Sequence, residues 1–301
     1  MKIVISILLF FLFSVSDAQQ SREINPKLTG PYLGQKPPCL TPEIFAPGIV
    51  SRDDIQSKLL ITPDGSEIIF MNIMAQASSP ADRKISFVSF KMKNGSWDPP
   101  ANIPFSLEYI NDEPALSPDG KKLYFVSTRP ESGEAEAQKL PDIWVAERTD
   151  EGWGVPHILG APVNTEGIEV QPFCSTDDKL YFGRYDGLYY SQFINGQFSD
   201  PVRLNENIFK GRVRGICISP DNNTLVVHSD KPGGSGSWDL YASFRDPAGK
   251  WTELVNMGKA VNTDLSESNA TFSPDGKYLF FSRDDDIYWI SAGIFEKIKT
   301  N

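Results

Sequence analysis

The stretch "ALSPDGKKLYFVSTR", residues 115–129, consists of two short apolar runs separated by a Ser-Pro-Asp-Gly turn. Proline sets φ for the second turn position, aspartate is accepted at the third, and glycine adopts the left-handed conformation that closes a hairpin. The stretch therefore predicts two antiparallel β-strands. Related turns with the same flanking pattern begin at Thr62, Ser117, Ser175, Ser219 and Ser273. The chain thus repeats one structural unit five times.

Each unit contains the same series of strands. The strand after the turn is rich in aromatic and β-branched residues, as in "KLYFVST" and "YLFFSRD". A third apolar strand follows, as in "DIWVAER", and then a short polar strand with Trp or Phe and a nearby Pro, as in "GWGVPHIL". Because proline lacks the N–H donor, this fourth strand fits an outer edge. Repeats of about fifty residues without helical periodicity predict an all-β fold, a single β-propeller of four-stranded blades.

The fifth unit stops after its third strand, and a substitute for its fourth strand lies at the other end of the chain. "EIFAPGIVS", at residues 43–51, has the layout of the fourth strand of the second unit. We therefore predict five blades at residues 43–301, with this N-terminal strand completing the last blade so that no sheet edge stays open. Six blades are the alternative, but "TGPYLGQKPPCLTP" is too rich in proline to supply another unit. Residues 19–42 are expected to form an extended, proline-rich segment.

The first eighteen residues have the features of a signal peptide. Lys2 precedes an apolar run at residues 3–13, and small residues lead to Ala18. We expect an exported protein, periplasmic or secreted, although an uncleaved N-terminal anchor is an alternative. The formal net charge of -10 argues against nucleic acid and anionic membranes as partners. A monomer without membrane insertion of the mature chain is expected.

Metal and cofactor chemistry has little support in the composition. The three cysteines are an odd number, which argues against a disulfide framework. The two histidines, His157 and His228, are isolated, so no zinc site is predicted. The many acids make Ca²⁺ conceivable, but no Asp-rich loop has the spacing of calcium ligands. We therefore predict neither a metal nor a cofactor.

The repeated Ser-Pro-Asp-Gly-Lys-x-Leu-Tyr-Phe, followed by Asp-Ile-Trp or Asp-Ile-Tyr, resembles the WD40-like β-propeller repeat of TolB-type exported proteins. "VNTEGIE" and "VNTDLSE" between units add to the resemblance, which covers about residues 43–295. The Asp-Gly turn is degraded in the third and fourth units. The resemblance implies an exported scaffold that binds protein or carbohydrate, and it specifies no reaction.

A propeller presents its entering loops and its second-to-third strand loops on one face, around the channel, and this face is the default binding site. The charged residues expected there are Asp54, Asp112, Arg129, Arg184, Arg212, Arg214 and Arg283. One hypothesis is a binding module that recognises an extracytoplasmic protein or glycan with these side chains. The alternative is that each arginine pairs with a Glu or Asp of a neighbouring blade and locks the ring. "GRVRG", residues 211–215, and the long loops at 74–84 and 128–142 depart from the repeat and are expected to carry specificity.

The second functional hypothesis is a carbohydrate-active enzyme, a glycoside hydrolase or a lyase. Such enzymes use two carboxylates separated by about 5 to 9.5 Å. Glu113, Glu169 and Glu267 are the candidate catalytic acids. Because no glycosidase motif surrounds them, the binding module is preferred.

Overall fold

The computed structural model describes residues 28–74, 84–131, 140–205, 207–209 and 212–300. These residues form five small antiparallel sheets, each with four or five strands. The predicted all-β propeller with five blades is confirmed. The predicted signal peptide, residues 19–27 and most of the loops at 74–84 and 128–142 lie outside the described residues.

The chain supplies the strands of the first three blades in sequence order, after a separate first strand, β1 (Glu43–Ile44). Blade 1 contains β2 (Ile55–Ile61), β3 (Glu67–Ile73), β4 (Ile85–Lys93), β5 (Ser96–Trp97) and β6 (Ala101–Asn102). Blade 2 contains β7 (Asn111–Leu116), β8 (Lys122–Ser127), β9 (Asp142–Thr149), β10 (Gly152–Trp153) and β11 (His157–Ile158). Blade 3 contains β12 (Val170–Cys174), β13 (Lys179–Arg184), β14 (Gly187–Ile194), β15 (Gln197–Phe198) and β16 (Val202–Arg203).

The last two blades have four strands each. Blade 4 contains β17 (Val213–Ile218), β18 (Thr224–Ser229), β19 (Asp239–Phe244) and β20 (Val255–Asn256). Blade 5 contains β21 (Glu267–Phe272), β22 (Tyr278–Arg283), β23 (Asp286–Ser291) and β1. A short helix, α1 (Ile294–Lys299), follows blade 5. The inner strands β2, β7, β12, β17 and β21 contact one another in cyclic order, so the blades form a ring.

The ring closes through the N-terminal strand, as the sequence predicts. Strand β1 pairs antiparallel with β23, with Glu43 opposite Trp289 and Ile44 opposite Tyr288. Directly after this pair, the Phe45 N–H donates a 2.7 Å hydrogen bond to the Ile287 carbonyl. Blade 5 therefore contains both ends of the propeller.

Residues 28–42 contact the outer strands of blades 1 and 5 and the turns between these two blades. The Trp97 indole N–H donates a 2.8 Å hydrogen bond to the Gly30 carbonyl, which fixes the segment to blade 1. The centroids of the Tyr32 ring and the Trp289 ring in blade 5 are 5.3 Å apart. The Ser291 N–H donates to the Cys39 carbonyl at 2.9 Å. The segment thus covers the seam at which the ring closes. Within the part of the chain described, no helix has the length and hydropathy of a membrane span.

The blades share their hydrophobic cores with their neighbours. Five buried clusters are present in the described residues, and each combines side chains from two adjacent blades. Between blades 5 and 1, for example, Phe45 packs edge-to-face against Phe280 and Trp289, with ring centroids 5.3 Å and 5.2 Å apart. Packing between sheets, rather than within one sheet, therefore holds the propeller together.

The repeated turns are held by a hydroxyl as well as by backbone geometry. In each turn the Ser or Thr hydroxyl donates to the aspartate two residues later, at 2.6 Å for Ser117 and Asp119. Glycines 65, 120 and 276 have φ near +70°. In the degraded turns of blades 3 and 4, Asp178 and Asn222 adopt the same left-handed conformation, with φ of 59° and 58°. All five turns therefore form despite the lost glycines.

We expect Phe45→Ala to lower the free energy of unfolding by about 3–5 kcal/mol, because it removes a fully buried ring from the closing seam. Chemical denaturation monitored by circular dichroism measures the change. Phe193→Ala is the matched control, because this ring is 36% exposed and lies on the outer hairpin of blade 3, so a loss of about 1 kcal/mol is expected. Equal losses in the two variants would contradict the importance of the closing seam.

The five turn aspartates predict loss of stability in acid. The pKa of Asp64 is lowered mainly by the hydrogen bond from the Thr62 hydroxyl. For the other four, burial acts to raise the pKa, but hydrogen bonds outweigh it and lower the pKa of Asp119, Asp177, Asp221 and Asp275. The donors are the serine hydroxyl and backbone N–H groups, with the Lys179 ammonium as the main donor to Asp177 and the Lys277 ammonium as a further donor to Asp275. A group whose pKa is lower in the folded state stabilises the fold above its unfolded-state pKa of about 4. This stabilisation is lost as the pH falls through the folded-state pKa. The free energy of unfolding should fall as the pH drops below about 4, and Asp275→Asn should reduce this dependence. An unchanged dependence in the variant would contradict the role of the turns.

Candidate functional site

A β-bulge in each inner strand places one residue at the axis of the ring. The register shifts at equivalent positions in all five inner strands. The bulge residue stands four residues before the first residue of its turn and has φ between 46° and 60°. These residues, which we call the axial ring, are Lys58, Glu113, Gln171, Gly215 and Asn269. The left-handed conformation costs free energy at the four non-glycine residues. Contacts that recur in every blade must offset this cost.

Hydrogen bonds connect the axial ring from blade to blade. The Gln171 N–H donates to the Glu113 carboxylate at 2.7 Å, and the Gly215 N–H donates to the Gln171 side-chain oxygen at 2.9 Å. On the other side, the Asn269 amide donates to the Ser57 hydroxyl at 2.8 Å. The axis therefore contains buried and partly buried polar side chains that are ordered by their neighbours.

The axial ring combines charges of opposite sign. The pKa of Glu113 is raised to about 7, mainly by burial and next by the negative charge of Asp112, while the charge of Lys58 acts in the opposite direction. Lys58 is 4% exposed, and burial lowers the pKa of its ammonium. The sequence analysis included Glu113 but missed Lys58, although both stand at the same distance from a turn.

His228 occupies the space that Gly215 leaves open. A Cβ at Gly215 would lie 2.4 Å from the His228 Cε1, so only glycine fits, both for this contact and for its φ of 60°. The Nδ1 of His228 is buried without a hydrogen-bond partner in the described structure. Burial, together with the positive charges of Lys58 and Arg214, lowers the pKa of His228 to about 3. The imidazole is therefore neutral at physiological pH.

Two of the predicted acids are in buried ion pairs with predicted arginines. Glu169 is fully buried and accepts from Arg184 Nε at 3.0 Å. Glu267, equally buried, accepts from Arg283 Nε at 2.9 Å. Each pair lies within one blade, Glu169–Arg184 in blade 3 and Glu267–Arg283 in blade 5, so these two arginines do not pair with an acid of a neighbouring blade. The two carboxylates are closed to a ligand.

The "VNT" motifs connect these pairs to the preceding blade. The Thr165 hydroxyl donates to Glu169 at 2.7 Å, and the Asn164 amide hydrogen bonds to the backbone of Ile143 in blade 2. Thr263 and Asn262 make the corresponding bonds to Glu267 and to Leu240 in blade 4. The repeated motif is therefore an inter-blade connector.

Arg129 is buried, and no carboxylate of the described residues forms an ion pair with it. Its guanidinium donates to Asn111 Oδ1 at 2.8 Å and to the Phe105 carbonyl at 3.2 Å. Asn111 occupies the position that Glu169 and Glu267 hold in their blades. The rings around the guanidinium lie 5.2–5.7 Å away and belong to Phe105, Tyr109, Phe125 and Trp144. Burial lowers the pKa of Arg129, and its contacts are those of a structural residue.

The predicted aspartates lie where the chain enters the inner strands. Asp54 accepts from the Asn72 amide at 3.1 Å, just before β2. Asp112 lies in β7 and accepts from the Glu113 N–H at 2.8 Å. Both are partly exposed. They are on the face that the sequence analysis expects to carry the site.

A cleft of about 680 Å³ opens on this face between blades 3 and 4. Its apolar wall includes Leu188, Leu204 and Phe209. Tyr185, at the rim, is 97% exposed. Four arginines line the cleft, namely Arg184, Arg203, Arg212 and Arg214. The volume is within the range of sites for small ligands.

Arg212 and Arg214 are ordered by an aromatic ring. Their guanidinium carbons lie 5.1 Å and 5.8 Å from the centre of the Trp238 ring. Arg212 also forms a 2.9 Å ion pair with Asp230, although its side chain stays 64% exposed. Arg214 is exposed and forms no ion pair with any described residue. The two arginines thus present positively charged donors to the cleft at little cost in side-chain entropy.

No arrangement of metal ligands is present in the described part of the chain, where no group of three or more His, Cys, Asp or Glu side chains could hold an ion. The three cysteines form no disulfide. The chemistry available at this face is therefore that of arginine, hydroxyl and aromatic groups, together with the axial charges.

Comparisons with known proteins bear on the fold. No protein-family model matches the chain, and no curated protein matches it significantly. Among solved structures, the tricorn protease is 18% identical with a TM-score of 0.49, over 81% of this chain and 22% of that chain. The catalytic domain of the Coprinopsis cinerea GH62 α-L-arabinofuranosidase is 12% identical with a TM-score of 0.48, over 84% and 94%. The Podospora anserina α-L-arabinofuranosidase PaAbf62A, solved with cellotriose, is 15% identical with a TM-score of 0.47, over 84% and 93%.

Similarities as weak as these say nothing about activity. The β-propeller fold rests on the strand topology described above, and the fold expected from the repeats is confirmed. The narrower resemblance to TolB-type repeats stays a prediction.

We expect Glu169→Gln to lower the free energy of unfolding by about 3 kcal/mol, because the substitution leaves the Arg184 guanidinium without its counter-charge. Glu166→Gln is the matched control in the same connector, since Glu166 is exposed and should change stability by less than about 0.5 kcal/mol. Denaturant unfolding of both variants provides the measurement. A Glu169→Gln variant as stable as the control would mean that the pair does not stabilise the fold.

Proposed function

We propose that this chain is an exported binding module that recognises an acidic glycan in the cleft between blades 3 and 4. The observation that carries the proposal is Arg214, which is exposed in this cleft and has no carboxylate partner among the described residues. Together with Arg212 it can form the charge-assisted, bidentate hydrogen bonds that carboxylates accept. Export rests on the leader sequence, and the TolB-like repeats agree with it.

The shape of the site supports a glycan rather than a protein partner. The cleft is concave and preformed, whereas protein interfaces of standard size bury about 800 Å² per partner on a broad surface. Tyr185 at its rim is 97% exposed, which suits stacking against a sugar ring. Uronic acid residues combine such a ring with a carboxylate. An oligosaccharide that contains them would use both features.

The competing hypothesis of a carbohydrate-active enzyme has weaker support. It needs two carboxylates that face the substrate. Glu169 and Glu267 are fully buried and bonded to arginine. Glu113, with a pKa of about 7, has the property of a general acid, but it is bonded to the Gln171 N–H inside the axial ring. Binding without turnover is therefore the better supported function.

We expect the purified protein to bind tetragalacturonate more tightly than cellotetraose, which has the same length and no charge. Replacing both Arg212 and Arg214 with alanine should weaken tetragalacturonate binding by at least tenfold, since a hydrogen bond to a charged group contributes about 1.5–3 kcal/mol. Isothermal titration calorimetry measures both affinities. The melting temperature should stay nearly unchanged, because both side chains are exposed.

Arg52→Ala is the control, because Arg52 is exposed on blade 1, away from the cleft. Equal affinity for the two oligosaccharides would contradict recognition of an acidic glycan. A large drop in melting temperature of the double variant would instead identify the two arginines as structural. Binding of an acidic peptide, lost in the same variant, with no glycan binding, would replace the glycan by a protein ligand.

A further inference from the structure

The opposite face of the propeller, where the five turns lie, contains a second cavity. It has a volume of about 150 Å³ and is lined by residues of all five inner strands. Four prolines of the turns surround its mouth, namely Pro63, Pro118, Pro220 and Pro274, and Thr176 holds the fifth position. Its walls are largely apolar, with Leu60, Ala115 and Phe173 among them. The cavity is thus a funnel along the ring axis.

Lys58 lies at the inner end of this funnel. It stands four residues before Thr62, so it is about 13 Å from the mouth at the rise of a β-strand. Its side chain is 4% exposed. It alone is charged among the described residues that line the cavity. Its ammonium makes no hydrogen bond and no ion pair with the described residues.

An ammonium buried in this way lacks the contacts that usually compensate the loss of water. The charges of Glu113 in the axial ring and of Asp112 next to it act on Lys58, but no described carboxylate lies within 4 Å of its Nζ. The serine hydroxyls at the mouth donate to the turn aspartates and are engaged there. Lys58 is therefore the polar group at which a ligand of the cavity would be held.

We propose that the axial cavity binds a small monocarboxylate, whose carboxylate accepts hydrogen bonds from Lys58 and whose short alkyl chain lies against the apolar wall. The volume is that of about five water molecules, which allows a chain of a few carbons. An inorganic anion such as chloride would meet the charge but leave the apolar walls uncovered. The site goes beyond the proposed function, because it lies at the other end of the inner strands from the arginine cleft.

The experiment is a calorimetric titration of the purified protein with formate, acetate, propionate, butyrate and octanoate at constant ionic strength. Affinity should increase about fourfold with each methylene group up to butyrate, the gain expected when a methylene is buried. Octanoate should bind more weakly than butyrate because it exceeds the cavity. Butyramide, a neutral analogue of butyrate, should bind at least tenfold more weakly than butyrate.

Variants assign the binding to the axis. Lys58→Met keeps the length of the side chain and removes the charge, so the preference for butyrate over butyramide should disappear. The double replacement of Arg212 and Arg214 should leave butyrate binding unchanged, which separates this site from the cleft. If Lys58→Met does not fold, the comparison of butyrate with butyramide on the unaltered protein still decides the question.

Several results would overturn the proposal. They are the absence of saturable butyrate binding, equal affinity for butyrate and butyramide, and butyrate binding that survives Lys58→Met. Competition by chloride at equal concentration, with no dependence on chain length, would show a simple anion site instead. Loss of tetragalacturonate binding in the cleft variants has no bearing on these outcomes.

Discussion

The structure depends on one short pairing between strands from opposite ends of the propeller. Ile44 of β1 lies opposite Tyr288 of β23, so the first strand completes the last blade. Without this pairing, β23 would be an open sheet edge, and blades 1 and 5 would keep only their side-chain packing and the hydrogen bonds between β2 and blade 5. The arginine cleft lies between blades 3 and 4 and the axial cavity is lined by all five inner strands, so the dimensions of both depend on a closed ring.

Much of the fold was predictable because its information is local. A Ser-Pro-Asp-Gly turn closes a hairpin wherever it occurs, and five such turns set the number of blades. The degraded turns still form because Asp178 and Asn222 accept the left-handed conformation. The hydrogen bond from Ser117 to Asp119 explains the serine of the motif, which backbone preference alone does not require.

The site was harder to predict, because its geometry is not local. Composition and spacing identified Glu169 and Arg184 but left two alternatives, a ligand contact or an ion pair. The 3.0 Å distance between Arg184 Nε and the Glu169 carboxylate in the structure identifies an ion pair. Lys58 was missed, although Lys58 and Glu113 each stand four residues before the first residue of their own turn. The bulge that turns both towards the axis arises from packing between inner strands and has no sequence pattern that periodicity detects.

Sharing each core between two blades has a thermodynamic consequence. In an open array of repeats, each unit can be lost from an end while the remainder persists. Here every blade has a neighbour on both sides, and removing any one exposes two clusters of buried side chains. Intermediates with some blades missing are therefore unfavourable, and denaturation should proceed as one all-or-none transition that starts where the chain ends meet.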